Sequence, residues 1–239
     1  MDHIRLKSAF LRIPERRPKE FSYEREKVIY LQKPKNNHEA DFFQVIDCRK
    51  SRRDGLQLRE EDISCLLWFC SRTKQTEREA SGFLWEHRPA PSAGGRHPID
   101  IILYNYMGDT SSLYLYAPLS HSLARLKNID NTALMKFKTA IIDVLEIENA
   151  TIIWFLGQFD KTLSKYENGE CLVWLDAGIL LETIYLVAEA LALGCCAVGI
   201  TGEPWISEAL NGNGQIDGLT GCLVWRQKNY CPQGHASRA

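Results

Sequence analysis

Apolar side chains recur at helical spacing in three parts of the sequence. After an acidic turn at Glu60–Asp62, apolar residues continue to Cys70, which predicts a helix from about Leu58 that packs by one face. A second helix is predicted over Asn131–Glu148. The longest is predicted from Ala177 to Leu191, where apolar residues follow one another at spacings of three and four. We expect Asp176 to cap this helix and Gly194 to end it.

Shorter runs of β-branched, aliphatic and aromatic residues predict strands. Ile99–Tyr106 and Leu113–Tyr116 flank a Gly-Asp turn and predict a hairpin. Further strands are predicted at three places, and Pro204 opens a short helix that runs to Leu210. Helices and strands are mixed without regular alternation, which favours an α+β fold over a doubly wound one. The three further strands are Thr151–Leu156, Cys196–Thr201 and Leu219–Arg226.

The two ends of the chain lack a periodic pattern. Residues 1–40 are rich in charge and proline and show no sustained helical or strand period, so we interpret them as an N-terminal arm. Residues 41–228 are interpreted as one domain and residues 229–239 as a C-terminal tail. A role in binding a partner is one hypothesis for the arm and the tail.

Composition narrows the classes of function. The chain is 45% hydrophobic and 25% charged, as in globular proteins. Lys and Arg total 29 against 30 Asp and Glu, which gives no electrostatic reason to expect nucleic acid or an anionic membrane as partner. The apolar tract 177–200 is interrupted by Glu182 and Glu189, which argues against a membrane span. Eight cysteines show no two-residue spacing, so no metal site is predicted. The first residues carry no signal-peptide pattern, and we expect a reducing, cytoplasmic setting.

The segment Arg49–Asp54, with the sequence RKSRRD, combines arginines with a hydroxyl group. A guanidinium fork forms charge-assisted bonds with a phosphate that are stronger than neutral hydrogen bonds, so this composition suits a phosphate site. A solvated basic turn is the alternative, because short basic runs are common on protein surfaces.

The segment Arg88–Pro98, with the sequence RPAPSAGGRHP, contains prolines and paired glycines that exclude regular structure. Ser92 is a candidate donor to a ligand. The small residues Ala93, Gly94 and Gly95 would let main-chain amides approach one closely. An ordinary glycine turn is the alternative interpretation.

Lys165 and Tyr166 precede the longest predicted helix. They are candidate acid-base groups, although a surface Lys-Tyr pair near a turn would look the same. An unperturbed lysine has a pKa of ~10.4, so it would serve as a base only where burial lowers that value.

These three segments, in this order, resemble the nitroreductase superfamily and especially its azoline dehydrogenase branch, over residues 40 to 226. The resemblance implies a nitroreductase-like fold with a central mixed or antiparallel sheet flanked by helices. It also implies a homodimer that holds FMN at the subunit boundary. Lys165 and Tyr166 would be catalytic. The residues that would contact the flavin are Arg49, Ser51, Arg53, Pro91, Ser92, Ala93, Gly94, Gly95, Gly194, Cys195, Cys196, Gly199 and Arg226.

The chain also departs from the family pattern. Ile179 stands where the family has histidine, and Glu182 and Thr183 stand where it has glutamine and asparagine. The Pro-Ser-x-x-Asn-x-Gln-Pro segment of general nitro and quinone reductases is absent. These departures remove side chains that would face the flavin.

The resemblance implies an FMN-dependent dehydrogenase that oxidises a thiazoline, oxazoline or related ring to the aromatic azole. The ring would belong to a peptide or a carrier-bound intermediate, and dioxygen would reoxidise the flavin. A cyclodehydratase is a candidate partner. Two alternatives are an NAD(P)H-dependent nitro or quinone reductase and a flavin-free subunit of a modification complex.

Overall fold

A computed structural model describes residues 7–35, 39–212 and 214–228, so the predicted tail at 229–239 lies outside the described residues. The described residues form eleven strands, and seven of these strands form one sheet. Every pairing in this sheet is antiparallel, and its order is β10-β11-β8-β5-β6-β7-β2. The strands are β1 (Phe10–Leu11), β2 (Arg25–Tyr30), β3 (Gln75–Arg78), β4 (Leu84–His87), β5 (Ile99–Tyr106), β6 (Asp109–Ala117), β7 (Ser122–Leu126), β8 (Thr151–Gly157), β9 (Tyr166–Glu167), β10 (Leu193–Val198) and β11 (Asp217–Arg226).

Helices cover both faces of the sheet. The helices are α1 (Phe42–Cys48), α2 (Glu60–Ser71), α3 (Asn131–Ile142), α4 (Phe159–Leu163), α5 (Glu170–Ala190) and α6 (Trp205–Ala209). Successive residues of a strand point to opposite faces. In β8, Ile153 and Phe155 pack in the core that holds α2 and α5. Ile152 and Trp154 pack in the core that holds α3 and α6. The α+β prediction and the central antiparallel sheet are therefore confirmed.

The predictions for α2, the β5–β6 hairpin and β8 agree with the structure to within a few residues. Two helix boundaries were wrong. α3 ends at Ile142, and residues 143–148 do not continue it to Glu148. α5 begins at Glu170, so Asp176 lies inside the helix and does not cap it. The apolar residues before Asp176 continue the helix for almost two more turns.

The strand after α5 starts earlier than predicted. β10 runs from Leu193 to Val198, and Gly194 lies within it rather than after the helix. Leu191 is the C-cap, and its amide bonds to carbonyls of the last helical turn. The next residue, Ala192, has a positive φ of 59° and carries the turn that glycine was expected to provide.

The N-terminal arm contains strands that the sequence pattern did not predict. β2 pairs with β7 at one edge of the seven-stranded sheet, so the interpretation of residues 1–40 as lying outside the fold was wrong for this segment. Five of the six β2 residues are exposed, which removes the alternation that a half-buried strand normally shows. β1 forms a separate two-stranded sheet with β9, far along the chain.

α5 is long and apolar enough to cross a membrane by length and composition alone, a test that core helices also meet. It packs on the sheet through residues such as Val173, Ala177 and Ile184, all of which are buried. Trp174 and Leu175 on another side of the helix are 47% and 57% exposed. A face of α5 is therefore apolar and uncovered within one chain.

Candidate functional site

The loop that begins at Ser92 is anchored to α5 by Asp176. The Ser92 hydroxyl donates to Asp176 Oδ2 over 2.5 Å, and the Ala93 amide donates to Asp176 Oδ1 over 3.1 Å. The His97 amide donates to Ser92 Oγ over 2.9 Å. Burial raises the pKa of Asp176, and the bonds from Ser92 and Ala93 counteract part of that rise. Within one chain the Ser92 hydroxyl therefore holds the loop on α5, and its donation to a cofactor stays a prediction.

Neighbouring side chains occupy the space beside the two glycines of this loop. Gly94 and Gly95 have φ of +61° and +65°, which side-chain-bearing residues rarely adopt. A Cβ on Gly94 would lie 2.7 Å from Tyr166 Oη, and one on Gly95 would lie 2.0 Å from Trp85 Nε1. Because glycine has no side chain, the rings of Tyr166 and Trp85 can lie against the backbone at these two positions. Within one chain these two rings occupy the space beside the glycines, and the close approach of a ligand stays a prediction.

Little free volume remains around the loop. A cavity of about 20 Å³ lies among Pro91, Asp176, Leu180 and their neighbours. Pockets for drug-sized ligands are roughly 300–1,000 Å³, so this cavity cannot hold a flavin ring. A groove of about 800 Å³ runs along α3 between Met135 and Trp205 and is lined by none of the predicted site residues.

Lys165 and Tyr166 lie beside this loop, so the second and third predicted segments meet. Lys165 Nζ forms an ion pair with Glu79 Oε1 at 3.4 Å. Tyr166 lies in β9 opposite Leu11 of β1, and the Arg12 amide donates to the Lys165 carbonyl over 2.8 Å. The N-terminal segment thus covers one side of the two predicted catalytic residues.

Arg96 is the most deeply buried charge near the loop, since its side chain has no solvent exposure. It pairs with Glu15 of the N-terminal segment and lies 3.2 Å from Glu79 Oε2. Its guanidinium lies 4.1 Å from the centroid of the Phe83 ring. Burial lowers the pKa of Arg96. Glu79 therefore connects the predicted catalytic Lys165 to a buried arginine that sequence reasoning did not select.

The segment after α1 lies at the other end of α5, next to Tyr185. The Ser51 hydroxyl and the Tyr185 hydroxyl are 3.0 Å apart, and the Arg49 guanidinium lies 5.3 Å from the centroid of the Tyr185 ring. The Tyr185 hydroxyl accepts a bond from the Ala197 amide over 2.7 Å. Arg49 and Ser51 are thus brought together, through a tyrosine that the sequence analysis missed.

Arg52 holds this segment on β10. Its amide donates to the Cys195 carbonyl over 3.0 Å, and its guanidinium forms a two-pronged ion pair with the buried Glu189. The predicted ligand Arg53 is exposed, and among the described residues it has no bonding partner. The arginine between the two predicted ones therefore has the structural role, and Arg49 and Arg53 remain available to a ligand.

The predicted cofactor-binding residues in β10 and directly after it differ in solvent exposure. Cys195 and Cys196 are buried, and the neighbouring Cys222 together with burial raises the pKa of the Cys195 thiol. They pack in the core, as expected for small apolar side chains. A Cβ on Gly194 would lie 3.3 Å from Cβ of Arg52, so the segment after α1 covers this glycine. Gly199 is exposed and has open space beside it.

Arg226, at the end of β11, lies next to the segment that follows α1. Its amide and carbonyl each bond to Leu56 over 2.8 Å, and it lies opposite Leu193 of β10. We use the name basic corner for a group of four residues, Arg49, Ser51, Arg53 and Arg226. None of these three guanidinium groups pairs with a carboxylate in the part of the chain that the structure describes.

The basic corner and the Ser92 loop are separate within one chain. Tyr185 supports the first and Asp176 anchors the second, and nine residues of α5 span about 14 Å along the helix axis. A ligand that contacts both groups must be elongated, or the two groups must come from different copies of the chain.

The sequence profile of the nitroreductase family matches residues 57–223, well over half of the chain. A protein named "Putative nitroreductase MJ1384" from Methanocaldococcus jannaschii is 27% identical over 127 residues. That alignment covers 52% of this chain and 63% of the relative, so the chain spans less than two thirds of the relative's length.

Solved structures agree on the fold. A "putative nitroreductase" from Ralstonia eutropha JMP134 superposes with a TM-score of 0.63 at 20% identity, over 91% of this chain and 100% of that chain. A chain of the E. coli microcin synthetase McbBCD complex, with truncated pro-MccB17 bound, superposes with a TM-score of 0.56 at 16% identity. This second match covers 84% of this chain and 79% of that chain.

Proposed function

Because this chain belongs to the nitroreductase family, whose proteins are flavin oxidoreductases, we propose that it is an FMN-dependent dehydrogenase of azoline rings. The substrate is a thiazoline, an oxazoline or a related ring in a peptide or carrier-bound intermediate, and the product is the aromatic azole. Dioxygen returns the flavin to its oxidised state. The observation that carries the proposal is the contact between the Ser92 loop and Lys165–Tyr166, the two segments that most resemble the azoline dehydrogenases.

The basic corner fits the phosphate of FMN. Arg49, Arg53 and Arg226 have no carboxylate to neutralise them in the described part of the chain, and the exposed Ser51 bonds to the tyrosine on which the Arg49 guanidinium lies. A phosphate dianion would complete this set through charge-assisted hydrogen bonds. Arg52 does not compete for the ligand, because Glu189 already holds it.

The flavin ring needs a second copy of the chain, since the cavity at the Ser92 loop is too small within one copy. Apolar side chains of α1 and α5 are exposed and would be buried in a homodimer. Phe43 is 75% exposed and its neighbour Phe42 59%, while Trp174 and Leu175 add apolar surface on α5. α1 packs beside α5, and we assign these exposed apolar residues to the interface. A twofold interface would apply this surface to itself.

Aromatisation of an azoline removes a hydride and a proton from the ring, and bound FMN supplies the hydride acceptor. The proton goes to a base near the ring carbon, which we assign to Lys165 Nζ or Tyr166 Oη. Glu79 lies 3.4 Å from Lys165 Nζ and fixes the position of this nitrogen, which takes up the ring proton as the neutral amine and pairs with Glu79 once it is protonated. Gly94 brings the Tyr166 hydroxyl against the loop. Arg96 fixes Glu79 from the buried side.

A peptide substrate is part of the proposal for two reasons. The resemblance in sequence is to enzymes that act on rings within peptides. One structure with this fold belongs to a synthetase complex that has a truncated peptide bound. A cyclodehydratase that forms the ring is the corresponding partner.

The test begins with purified protein that is mixed with FMN, desalted and examined by visible absorption. Loaded protein is then incubated in air with azoline-containing peptides, and mass spectrometry measures the loss of two hydrogens. Lys165→Ala and Tyr166→Phe should each lower the rate without releasing flavin, and Met135→Ala in the distant groove is the matched control. A protein that retains FMN but oxidises none of these rings would contradict the azoline assignment. Colourless protein that refuses FMN would instead support the flavin-free subunit.

The names of the relatives favour a second candidate, a reductase of nitroaromatics or quinones that takes its electrons from NAD(P)H. The loop sequence after Ser92 lacks the segment typical of such reductases. Anaerobic mixing with NADH or NADPH distinguishes the two activities. Rapid bleaching of the flavin absorbance supports the reductase, and unchanged absorbance supports the dehydrogenase.

A further inference from the structure

Tyr185 connects the basic corner to β10. It lies in α5 and is 8% exposed. Its hydroxyl oxygen lies 2.7 Å from the Ala197 amide nitrogen and 3.0 Å from Ser51 Oγ, and the Arg49 guanidinium lies 5.3 Å from its ring centroid. One tyrosine therefore contacts two of the residues that we propose for the phosphate.

The hydrogen bonds around Tyr185 have a direction. The Ala197 amide can only donate, so Tyr185 Oη is the acceptor in that bond. Burial raises the pKa of Tyr185, so its hydroxyl keeps its proton at neutral pH. Among the described residues, Ser51 Oγ is the other polar atom bonded to this hydroxyl, so we assign the tyrosine proton to that bond. Ser51 then accepts from Tyr185, and the proton of Ser51 is left for a further acceptor.

We infer that Tyr185 is a positioning residue that makes Ser51 a hydrogen-bond donor toward the phosphate of FMN and so makes the site selective for FMN over riboflavin. The chain of donors runs from Ala197 N–H through Tyr185 O–H to Ser51 O–H and then to a phosphate oxygen. Ser51 is exposed, so its free proton faces the side from which a ligand arrives. The Tyr185 ring also supports the Arg49 guanidinium, which places a cation beside the same donor.

This inference rests on the proposed function, but it makes a separate prediction. If Tyr185 only held α5 against β10, its hydroxyl would affect all flavins alike. If it acts through Ser51 on a phosphate, its removal would weaken FMN and spare riboflavin, which has the same ring and no phosphate.

The experiment measures the affinities for FMN and for riboflavin by quenching of flavin fluorescence. The proteins are the unaltered chain, Tyr185→Phe, Ser51→Ala and the double variant. Tyr104→Phe is the matched control, because Tyr104 is equally buried and its hydroxyl donates to the Thr110 carbonyl, away from the basic corner. Loss of a hydrogen bond to a charged group weakens binding by about tenfold or more. We therefore expect about a tenfold loss of FMN affinity in each single variant and less than about a twofold change for riboflavin.

The double variant tests whether Tyr185 acts on FMN binding through Ser51 or contributes to it independently. If Tyr185 acts through Ser51, the double variant should bind FMN as weakly as Ser51→Ala alone. Equal losses of FMN and riboflavin in Tyr185→Phe, or unchanged FMN affinity, would overturn the inference. Unchanged FMN affinity in Ser51→Ala would overturn it as well, even if Tyr185→Phe proves unstable, because Ser51 is exposed and its substitution spares the core. An unaltered chain that binds neither flavin would instead overturn the proposed function.

Discussion

One buried histidine, His121, and one half-buried histidine, His97, should make the fold sensitive to mild acid. His121 bridges Ser64 and Tyr116 through its two ring nitrogens, each over 2.9 Å. His97 ends the Ser92 loop and bonds to the Glu86 carbonyl over 2.9 Å. Burial, with nearby cations, lowers the pKa of each ring to about 4. Both rings are therefore neutral in the folded protein at pH values where an unfolded histidine is charged.

The size of the effect follows from proton linkage. An unfolded histidine has a pKa of about 6.5, so between about pH 6.5 and pH 4 the unfolded chain binds more protons than the folded chain. The stabilisation is complete above this range and is lost as the pH falls through it. From pH 7 to pH 4.5 the loss is about 2.4 kcal/mol for each histidine, given a folded pKa of about 4. The pair together accounts for about 5 kcal/mol, a large part of a typical folding free energy.

Urea unfolding of the unaltered protein, His121→Gln and His97→Gln at the two pH values measures this loss. Each substitution should reduce the acid-induced loss by about 2.4 kcal/mol, because glutamine does not titrate. His87→Gln is the matched control, since His87 is exposed on β4. The difference between variant and parent cancels the opposite contribution of Asp176, whose pKa is raised by burial. A full acid loss that persists in His121→Gln would refute the assignment of a buried neutral ring.

Three further predictions concern the residues that shape the site. Gly94→Ala should lower the free energy of unfolding by about 1–3 kcal/mol more than Gly82→Ala in urea unfolding, because both positions have positive φ but only Gly94 has a neighbour within contact distance; equal losses would contradict the packing against Tyr166. Arg52→Ala should destabilise the protein by about 3–5 kcal/mol, because it leaves Glu189 buried and unpaired, and Arg52→Ala with Glu189→Leu should recover part of that loss in the same assay. Glu15→Gln should increase the protease sensitivity of the N-terminal segment, since it removes a carboxylate from the buried Arg96, whereas Glu20→Gln, which removes only the ion pair that the exposed Glu20 forms with Lys161, should have a smaller effect; equal sensitivity would contradict the buried ion pair.

The sequence pattern predicted the elements that bury either one face or nearly all of their side chains. α2 shows apolar residues on one face, and β5 and β8 are continuous apolar runs that lie inside the sheet. The start of α5 was wrong because residues 170–175 are mostly apolar on every side, which hides the helical period. β2 was missed because its side chains are exposed on both faces, so no alternation marks it.

The site was harder to predict than the fold. The resemblance selected Ser51, Ser92 and Lys165, and the structure brings the loop and Lys165 together. It did not select Tyr185 or Glu79, because a single tyrosine in an apolar helix or a glutamate in a polar stretch carries no spacing signal. Asp176 was noticed as a polar residue in an apolar run but was assigned to a helix cap. Its actual partner, Ser92, is 84 residues away in the chain, a contact that local patterns do not reveal.

The position of β11 has a consequence for biosynthesis. β11 is the last of the described strands to leave the ribosome, yet it lies between β10 and β8 in the interior of the sheet. β10 therefore has no place in the sheet until residue 226 has emerged, and the segment around Arg52 that rests on β10 must wait with it. A nascent chain that stalls before this point exposes an open strand edge at β8, the kind of surface that invites aggregation.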